Sequence, residues 1–239
     1  MSRVQRSFTQ GQCGYYGERV SRNHCISDDR HELDRSQITR LLNKGYRRYG
    51  VDYYKPYCRS CRECTPYRVR AADFKPNRAF RRTLKRNAGV SVVWGEPRPT
   101  QEKFELYVRY QLGRHKDFGE KSLLAVRKSL AAAMIQQMYM NPAGTLELTL
   151  SENDAVIAFA IFDVTDDALS AVYSVFEPAL AERSLGTFNI LCGIDKVREL
   201  NLPWLNLGLY LAQHEKMAYK ANFGPAEIYR NFSWTQFSR

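Results

Sequence analysis

The fold is decided by the stretch Leu169–Pro225, which reads LSAVYSVFEPALAERSLGTFNILCGIDKVRELNLPWLNLGLYLAQHEKMAYKANFGP. Its first segment, Leu169–Phe176, alternates polar and apolar residues, and this pattern predicts a β-strand. Thr187–Leu200 repeats apolar residues at helical spacing, and Trp204–Tyr210 is a second short apolar run. The order therefore predicts a strand, a crossover helix and another strand.

The segment between the first strand and the helix predicts an anion site. It reads Arg183-Ser184-Leu185-Gly186-Thr187. A glycine lets the backbone approach a ligand, and the first turn of a helix offers unpaired N–H groups to an anion. Phosphate is the anion that we expect this loop to bind.

The segments before this stretch predict a sheet. Thr145–Leu150, Ala155–Phe162 and Leu169–Phe176 alternate in hydropathy and are separated by turn residues, which is typical of an antiparallel meander. With the crossover helix and the strand after it, they predict an α/β (α+β) fold whose mixed, mostly antiparallel sheet is flanked by helices.

The first half of the chain predicts further elements. Residues 1–34 show no periodicity and are predicted to be irregular. Short strands are predicted at Val69–Phe74 and Gly89–Trp94. Helices are predicted at Asp34–Tyr49, Pro76–Asn87, Thr100–His115 and Lys121–Met140.

The composition is that of a globular protein. The chain has 239 residues, of which 44% are hydrophobic, and this is enough for one or two packed domains. It has no apolar run long enough for a membrane span and no apolar segment near its start, so we expect no membrane association and a cytoplasmic location. In that reducing compartment the six cysteines are expected to be thiols or metal ligands rather than disulfides.

The net charge of +11 is concentrated in one third of the chain. Residues 35–87 contain sixteen Lys and Arg and three acidic residues, a local balance of +13, whereas the remainder has a balance of −2. Tyrosine and phenylalanine residues alternate with these basic residues, and such a surface neutralises phosphates and stacks on unpaired bases. This pattern predicts a nucleic-acid footprint, with a solvated basic face as the alternative, and divides the chain into a smaller basic, cysteine-containing module at 1–87 and a second domain at 88–239.

The same module contains a cysteine at every third residue, namely Cys58, Cys61 and Cys64. This spacing converges soft ligands onto a small volume, as zinc or an iron–sulfur cluster requires. A fourth ligand must come from elsewhere, and Cys13 is the best candidate, followed by Cys25 or His24. The alternative is that the thiols are small buried hydrophobic groups without a metal.

Two blocks carry a resemblance to a known family. They are Tyr54-Lys-Pro-Tyr-Cys58-Arg-Ser-Cys61-Arg-Glu-Cys64-Thr-Pro-Tyr-Arg-Val69 and Met217-Ala-Tyr219-Lys220-Ala-Asn-Phe-Gly-Pro225, the second preceded by the Arg183-x-x-Gly186 loop. Together they are similar to the aminoacyl-tRNA-protein transferases, and nearest to the bacterial aspartate/glutamate leucyltransferases. The resemblance implies a GNAT-type acyltransferase fold that moves an amino acid from its tRNA to the N-terminal amine of a protein starting with Asp or Glu, and so marks that protein for degradation.

The resemblance also implies roles for substrate-binding residues. Arg183, with the backbone of Ser184, Leu185, Gly186 and Thr187, would hold a phosphate of the tRNA acceptor end. Lys216 and Lys220 are four residues apart and would pair with the acidic side chain of the acceptor protein if they face the same side of a helix. The expected partners are therefore an aminoacyl-tRNA, with leucyl-tRNA favoured, and proteins with acidic N-terminal residues.

The chemistry implied by the resemblance needs no cofactor, because the donor ester is already activated. Tyr173 and Tyr219 would donate hydrogen bonds to the oxyanion or to the departing 3′ oxygen, and His214 or Glu215 would accept the proton of the amine. Zinc or an iron–sulfur cluster at Cys13, Cys58, Cys61 and Cys64 would be structural or regulatory.

Three alternatives stay open at this point. The transferred residue could be arginine, which requires a carboxylate in the side-chain pocket. An acyl-CoA-dependent N-acetyltransferase would share the Arg-x-x-Gly loop but not need the basic third of the chain. A noncatalytic RNA-binding protein would explain the basic third but not the second block.

Overall fold

The computed structural model describes residues 4–114 and 122–238, so the predicted helix ends His115 and Lys121 lie outside the described residues. The described chain forms two compact units. Unit 1 holds residues 4–75, 164–170 and 197–238, and unit 2 holds residues 76–114, 122–163 and 171–196. Because the units alternate along the chain, they do not test the predicted modules 1–87 and 88–239, which stay a prediction.

The strands of the described residues are β1 (Gln5–Gln12), β2 (Val20–Ser27), β3 (Arg47–Tyr49), β4 (Asp52–Pro56), β5 (Thr65–Arg70), β6 (Ser91–Gly95), β7 (Leu146–Glu152), β8 (Ala155–Val164), β9 (Ala168–Phe176), β10 (Trp204–Tyr210), β11 (Ala226–Arg230) and β12 (Ser233–Gln236). The helices are α1 (Arg35–Asn43), α2 (Arg78–Arg86), α3 (Gln101–Arg114), α4 (Leu123–Met134), α5 (Leu185–Glu199) and α6 (Glu215–Ala218). A π-helical turn, Ile135–Tyr139, continues α4, and 3₁₀ turns occupy Pro178–Arg183 and Tyr219–Asn222.

Unit 1 contains two sheets. Four strands form an antiparallel sheet in the order β1-β2-β4-β3, and the second has the order β12-β11-β5-β10. Helix α1 packs Ile38 and Leu42 against Ile26 and Tyr53 of the first sheet, and all four side chains are buried. This small apolar cluster holds the helix on one part of the sheet face.

The prediction that residues 1–34 are irregular is wrong, because β1 and β2 form a regular hairpin. Phe8 pairs with His24 and Gln12 with Val20 in an unbroken antiparallel register. Every residue of β1 is exposed, so no apolar alternation marks the strand in the sequence. Backbone pairing with β2 therefore holds β1 in place, although β1 has no buried face of its own.

The predicted helix at Asp34–Tyr49 is confirmed only in its first part. Asp34 caps α1, accepting a hydrogen bond of 2.7 Å from the backbone N–H of Gln37. Gly45 then adopts a φ of +82°, a left-handed conformation that ends the helix. Arg47–Tyr49 consequently belongs to β3 rather than to the helix.

The strand predicted at Val69–Phe74 begins earlier, at Thr65, and ends at Arg70. It lies between β10 and β11, and most of its residues are buried. A strand paired on both edges and covered on both faces has no alternating pattern, so the sequence marks its position poorly.

The predicted strand, crossover helix and strand are confirmed as β9, α5 and β10. The first residues of β9 lie in unit 1 and pair parallel with β10, from Ala168 opposite Trp204 to Ser170 opposite Asn206. Strand β9 then continues into unit 2.

Unit 2 is built on strands in the order β9-β8-β7-β6, of which β6, β7 and β8 are antiparallel. Asn153 and Asp154 both have positive φ in the turn between β7 and β8, which is typical of a tight hairpin. Helices α3 and α4 pack on the sheet through a buried cluster. The members of that cluster are Leu106, Tyr107, Val108, Val126, Leu130, Met134, Met138, Phe159, Ile161 and Val175.

The predicted fold class is therefore confirmed: the protein is mixed α/β, with a mixed, mostly antiparallel sheet flanked by helices. Among the residues that the structure describes, no helix is both long enough and apolar enough to cross a membrane.

Candidate functional site

A cavity of about 130 Å³ in unit 1 is lined by all four of the predicted metal ligands, Cys13, Cys58, Cys61 and Cys64. The rest of its wall comes from the β1–β2 hairpin, from β4 and from β10, with Leu209 as the residue of β10. The folded chain thus brings Cys13, the best candidate for a fourth ligand, to the same cavity as the three closely spaced cysteines.

Basic residues of the hairpin contact these thiols. The backbone N–H of Arg22 lies 3.4 Å from the sulfur of Cys58, and a guanidinium nitrogen of Arg19 lies 3.6 Å from the sulfur of Cys61. Burial, followed by the neighbouring Cys13, raises the pKa of Cys64 to about 12. In this arrangement Cys64 is a protonated thiol at neutral pH.

The cysteines do not form a finished metal centre. Within residues 4–114 and 122–238, no group of three or more His, Cys, Asp or Glu side chains is arranged to hold a metal ion. The donor set is nevertheless of the kind that zinc and iron–sulfur clusters use. The metal prediction for the four cysteines therefore stays a prediction.

His214 packs against the wall of the same cavity. Its ring makes edge contacts with Tyr15 and Tyr16, at centroid distances of 5.4 and 6.0 Å, and both tyrosines line the cavity. Among the described residues its Nδ1 atom is buried and has no hydrogen-bond partner. A buried imidazole nitrogen without a hydrogen bond lowers the stability of the fold unless a ligand or a water molecule supplies that bond. This nitrogen is therefore a candidate for contact with a substrate.

Lys220 contacts the backbone of the β10 residue Leu209. Its side chain is buried, and its Nζ donates to the carbonyl oxygen of Leu209 and contacts the sulfur of Met217 at 3.5 Å. Burial, followed by the charge of Arg47, lowers the pKa of Lys220 well below its usual value. A lysine in this environment favours the neutral amine.

Lys216 is exposed, in contrast to Lys220. Helix α6 ends at Ala218 and the chain continues in a 3₁₀ turn, so the two lysines do not share a helical face as predicted. Tyr219 is 41% exposed and packs edge-on against Phe223. The predicted roles of these three side chains stay predictions.

Arg47 was missed by sequence reasoning, although a glycine marks its position. Its guanidinium occupies the space where a Cβ atom would stand at Gly208, and Gly208 has a φ of +73°. The register between β10 and β5 shifts between Asn206 and Gly208. A glycine inside a strand pattern often marks such a bulge and a close approach, and this was the available signal.

The predicted phosphate loop lies in unit 2, and its arginine is already paired. Arg183 donates to a carboxylate oxygen of Glu152 at 2.6 Å and to the side-chain oxygen of Asn87 at 3.1 Å. The Arg183 side chain is 17% exposed. An incoming phosphate would have to compete with this carboxylate.

The backbone of the loop is shaped by packing. Ser184 has a φ of +56°, and Leu185, the first residue of α5, is buried. A Cβ atom at Gly186 would lie 3.1 Å from the ring of Phe176, so the glycine permits the helix to approach that ring. Thr187 is partly buried in the same turn.

Tyr173, the remaining predicted catalytic residue, also lies in unit 2. Its hydroxyl accepts a hydrogen bond of 2.9 Å from the side-chain amide of Gln111, and its ring packs edge-on against Tyr107. Burial, followed by Tyr107, raises the pKa of Tyr173. The group is therefore a phenol that can donate a hydrogen bond, and its predicted role stays a prediction.

Two family models match this chain. The model described as "Arginine-tRNA-protein transferase, N terminus" matches residues 11–82, and the model described as "Arginine-tRNA-protein transferase, C terminus" matches residues 102–230. The chain belongs to the arginine-tRNA-protein transferase family. The first model includes the four cysteines of the cavity, and the second includes His214 and Lys220.

Several members of this family are similar along most of their length. A protein of Gluconacetobacter diazotrophicus named aspartate/glutamate leucyltransferase is 37% identical over 95% of this chain and 85% of that protein. One of the same name from Leptospira interrogans is 35% identical over 90% of this chain and 82% of that protein. Among solved structures, a tandem GNAT protein from the clavulanic acid biosynthesis pathway has a TM-score of 0.42 and 11% identity, over 92% of this chain and 59% of that chain.

Proposed function

We propose that this transferase moves leucine from leucyl-tRNA to the N-terminal amine of proteins that start with Asp or Glu, and thereby marks them for degradation. The observation that carries the proposal is the match of both halves of the chain to the family, together with relatives of at least 35% identity that are named aspartate/glutamate leucyltransferase. The positive balance of residues 35–87 suits a tRNA substrate.

The proposed reaction is an aminolysis. The nitrogen of the acceptor amine attacks the carbonyl carbon of the aminoacyl ester and forms a tetrahedral intermediate. The bond to the 3′ oxygen then breaks, a peptide bond remains, and the proton lost by the amine passes to the base while the 3′ oxygen is protonated. Because the α-amine has a pKa of about 8, a modest base is sufficient.

His214 is the base that we propose for this reaction. The imidazole stands beside a cavity wall and has a buried Nδ1 atom without a partner among the described residues, so a substrate amine would complete its hydrogen bonding. Tyr173 keeps its proton because burial raises its pKa, and we propose it as a donor to the oxyanion or to the 3′ oxygen.

Purified protein tests the proposal directly. It is incubated with labelled leucyl-tRNA or arginyl-tRNA and with peptides that differ only in their first residue, which is Asp, Glu, Arg or Lys. We expect leucine to be transferred to the Asp and Glu peptides alone. Transfer of leucine to the Arg and Lys peptides would contradict the proposed acceptor, and acetylation by acetyl-CoA in place of any tRNA-dependent transfer would contradict the reaction.

A substitution at His214 tests the proposed base. General base catalysis contributes about 10²- to 10⁴-fold, so H214Q is expected to lower kcat by an amount in this range and to remove the corresponding limb of the pH profile. Q213A, at an exposed neighbouring position, is the control. A pH profile that H214Q leaves unchanged would exclude His214, and the same loss in E215Q would assign the role to Glu215.

Arginine transfer is the second candidate, because both matching family models are described as arginine-tRNA-protein transferases. The same assay separates the two candidates, since arginyl-tRNA would then be the productive donor. Charge reversal tests the acceptor site, which the two candidates share. We propose that the exposed Lys216 recognises the acidic side chain, so K216E is expected to slow the Asp and Glu peptides while leaving the tRNA KM unchanged.

We also propose that Cys13, Cys58, Cys61 and Cys64 form a structural or regulatory site for zinc or an iron–sulfur cluster. Their convergence on one cavity supports this, and the thiols must approach each other further to bind. Elemental analysis of protein purified without oxygen is expected to find one equivalent of zinc or cluster iron, which C61S loses and C25S retains. Less than half an equivalent in the wild-type protein would refute the site.

A further inference from the structure

One half of a sheet face in unit 1 is left uncovered by its helix. Helix α1 covers Ile26 of β2 and Tyr53 of β4. Side chains two residues apart in a strand point to the same side of the sheet. His24 and Lys55 lie two residues further along β2 and β4, so their side chains are on the same face as Ile26 and Tyr53. They lie beyond the side chains that pack against the helix.

These side chains form a continuous row of rings and cations, which we call the aromatic stripe. Phe8 lies 5.0 Å from His24 and 5.9 Å from Tyr57, measured between ring centroids. Tyr46 closes the row with a hydrogen bond of 2.8 Å to Nδ1 of His24. The stripe consists of Phe8, Arg22, His24, Tyr46, Lys55 and Tyr57.

The outer part of the stripe is open to solvent. Phe8 is 52% exposed and Tyr57 is 51% exposed. Large aromatic side chains are usually more buried than this, so two neighbouring exposed rings indicate a binding surface. About half of the surface of each residue is therefore accessible to a flat group that stacks on it.

The stripe is also positively charged. The guanidinium carbon of Arg22 lies 4.1 Å from the centre of the Phe8 ring, and Nζ of Lys55 lies 4.9 Å from the centre of the Tyr46 ring. Strands β1 and β2 contain no Asp or Glu.

We propose that the aromatic stripe binds the unpaired 3′ end of the tRNA, with bases stacked on Phe8 and Tyr57 and the backbone phosphates neutralised by Arg22 and Lys55. This inference rests on the proposed function. Exposed aromatic rings beside cations are the recurrent way in which proteins bind single-stranded nucleic acid. Paired bases cannot insert between such rings, whereas the 3′ end is the unpaired segment next to the amino acid that is transferred.

Binding of two RNAs by two variants tests the proposal. Dissociation constants are measured for intact tRNA and for the same tRNA without its unpaired 3′ nucleotides. We expect F8A to weaken binding of the intact tRNA by about 5- to 150-fold, the range that base–aromatic stacking gives. The truncated tRNA is expected to bind weakly to the wild-type protein and equally weakly to F8A, because it lacks the 3′ bases that would stack on Phe8.

Controls separate stacking from a general effect on folding. F8Y retains an aromatic ring and should restore binding of intact tRNA. Y57A should weaken binding of intact tRNA as F8A does. If one of the two variants folds poorly, the other still tests the stripe. F232A removes an 82% exposed ring outside the stripe and should leave both RNAs unaffected.

The outcomes distinguish this inference from the proposed function. If F8A weakens binding of the intact and the truncated tRNA equally, or weakens binding of neither, the stripe does not bind the 3′ end. If F8A and Y57A raise the KM of the acceptor peptide and not of leucyl-tRNA, the surface binds the protein substrate and the inference is overturned. In both cases leucine transfer by the wild-type protein would leave the proposed function intact, whereas its absence would refute that function.

Discussion

Two arginines of this protein, Arg22 and Arg183, lie on surfaces that are suited to RNA, but their surroundings differ. Arg22 lies over the rings of Phe8 and Tyr57. Arg183 lies at the predicted phosphate loop and is paired with a carboxylate of Glu152. A ring leaves the positive charge of an arginine uncompensated, whereas a carboxylate neutralises it.

This difference shows that a phosphate-binding sequence motif does not by itself provide a positive charge that is free to bind phosphate. The Arg-x-x-Gly pattern places a cation and a helix N-terminus together, yet the cation already has a partner within the same unit. The β1–β2 hairpin has no motif of that kind and still presents a cation without a carboxylate in either strand. The number of basic residues in a segment therefore does not determine which of them bind RNA.

A third cation, Lys220, extends the comparison to a lysine whose contacts are a carbonyl oxygen and a sulfur atom. Its native pKa is lowered, so between that pKa and the unfolded value of about 10.4 the unfolded state binds more protons. The contribution of this lysine to the free energy of unfolding should then rise with pH by up to about 1.4 kcal/mol per unit in that window. Urea unfolding between pH 7 and about pH 9.5, below the tyrosine range, measures this slope.

K220M should lose this contribution and show a flatter or falling pH dependence. K216M is the matched control, because Lys216 is exposed and should leave the slope as it is in the wild type. Cys64 and Cys192 also titrate differently in the two states, because burial raises the pKa of both thiols, but they are present in all three proteins and cancel in the comparison. Equal slopes for K220M and the wild type would mean that the buried lysine keeps its usual pKa.

Arg183 is expected to contribute more to stability than Arg22. R183A removes two charge-assisted hydrogen bonds, and because Glu152 is 38% exposed we discount the pair for screening and expect a loss of about 1–2 kcal/mol. R22A removes cation–aromatic contacts with two exposed rings and should cost about 0.5–1 kcal/mol. Thermal unfolding at fixed pH ranks the two variants, and a larger loss in R22A would reverse the comparison.

Arg22 is expected to contribute more to tRNA binding than Arg183. Loss of one phosphate contact lowers the affinity about fivefold near 0.15 M salt and reduces the slope of log K against log salt by about one. R22A should show both effects, whereas R183A should change the affinity less than about twofold, because its charge is already neutralised. R230A, an exposed arginine elsewhere in unit 1, controls for the loss of net charge. Equal effects of R22A and R183A would contradict the idea that the Glu152 carboxylate keeps Arg183 from binding RNA.

These features differ in how much the sequence reveals. Strands β9 and β10 and helix α5 were predictable because each is an apolar run of distinct period with clear ends. The cysteines were predictable because their spacing is local and their chemistry is restrictive. The hairpin was missed because β1 buries nothing, and the partner of Arg183 was missed because Glu152 lies in another strand and no local pattern connects the two. Burial of Lys220 depends likewise on packing against β10, which local spacing does not encode.

The smallest expected effect concerns the predicted phosphate role of Arg183. E152Q removes the competing carboxylate charge and leaves an amide that can still accept a hydrogen bond from the guanidinium. If the loop faces the tRNA, the affinity should rise about two- to threefold at low salt, and R183A made in the E152Q background should abolish the gain.

The control for this last experiment is D154N, which changes the net charge equally two residues away at an exposed position. A gain in both variants would be a long-range charge effect, which salt screens. A gain in E152Q alone would mean that Glu152 restrains an arginine that is able to bind phosphate. No gain in either variant would leave Arg183 as a residue that joins β7 to the start of α5. The RNA contacts would then have to come from cations such as Arg22, which has no carboxylate partner in the part of the chain that the structure describes.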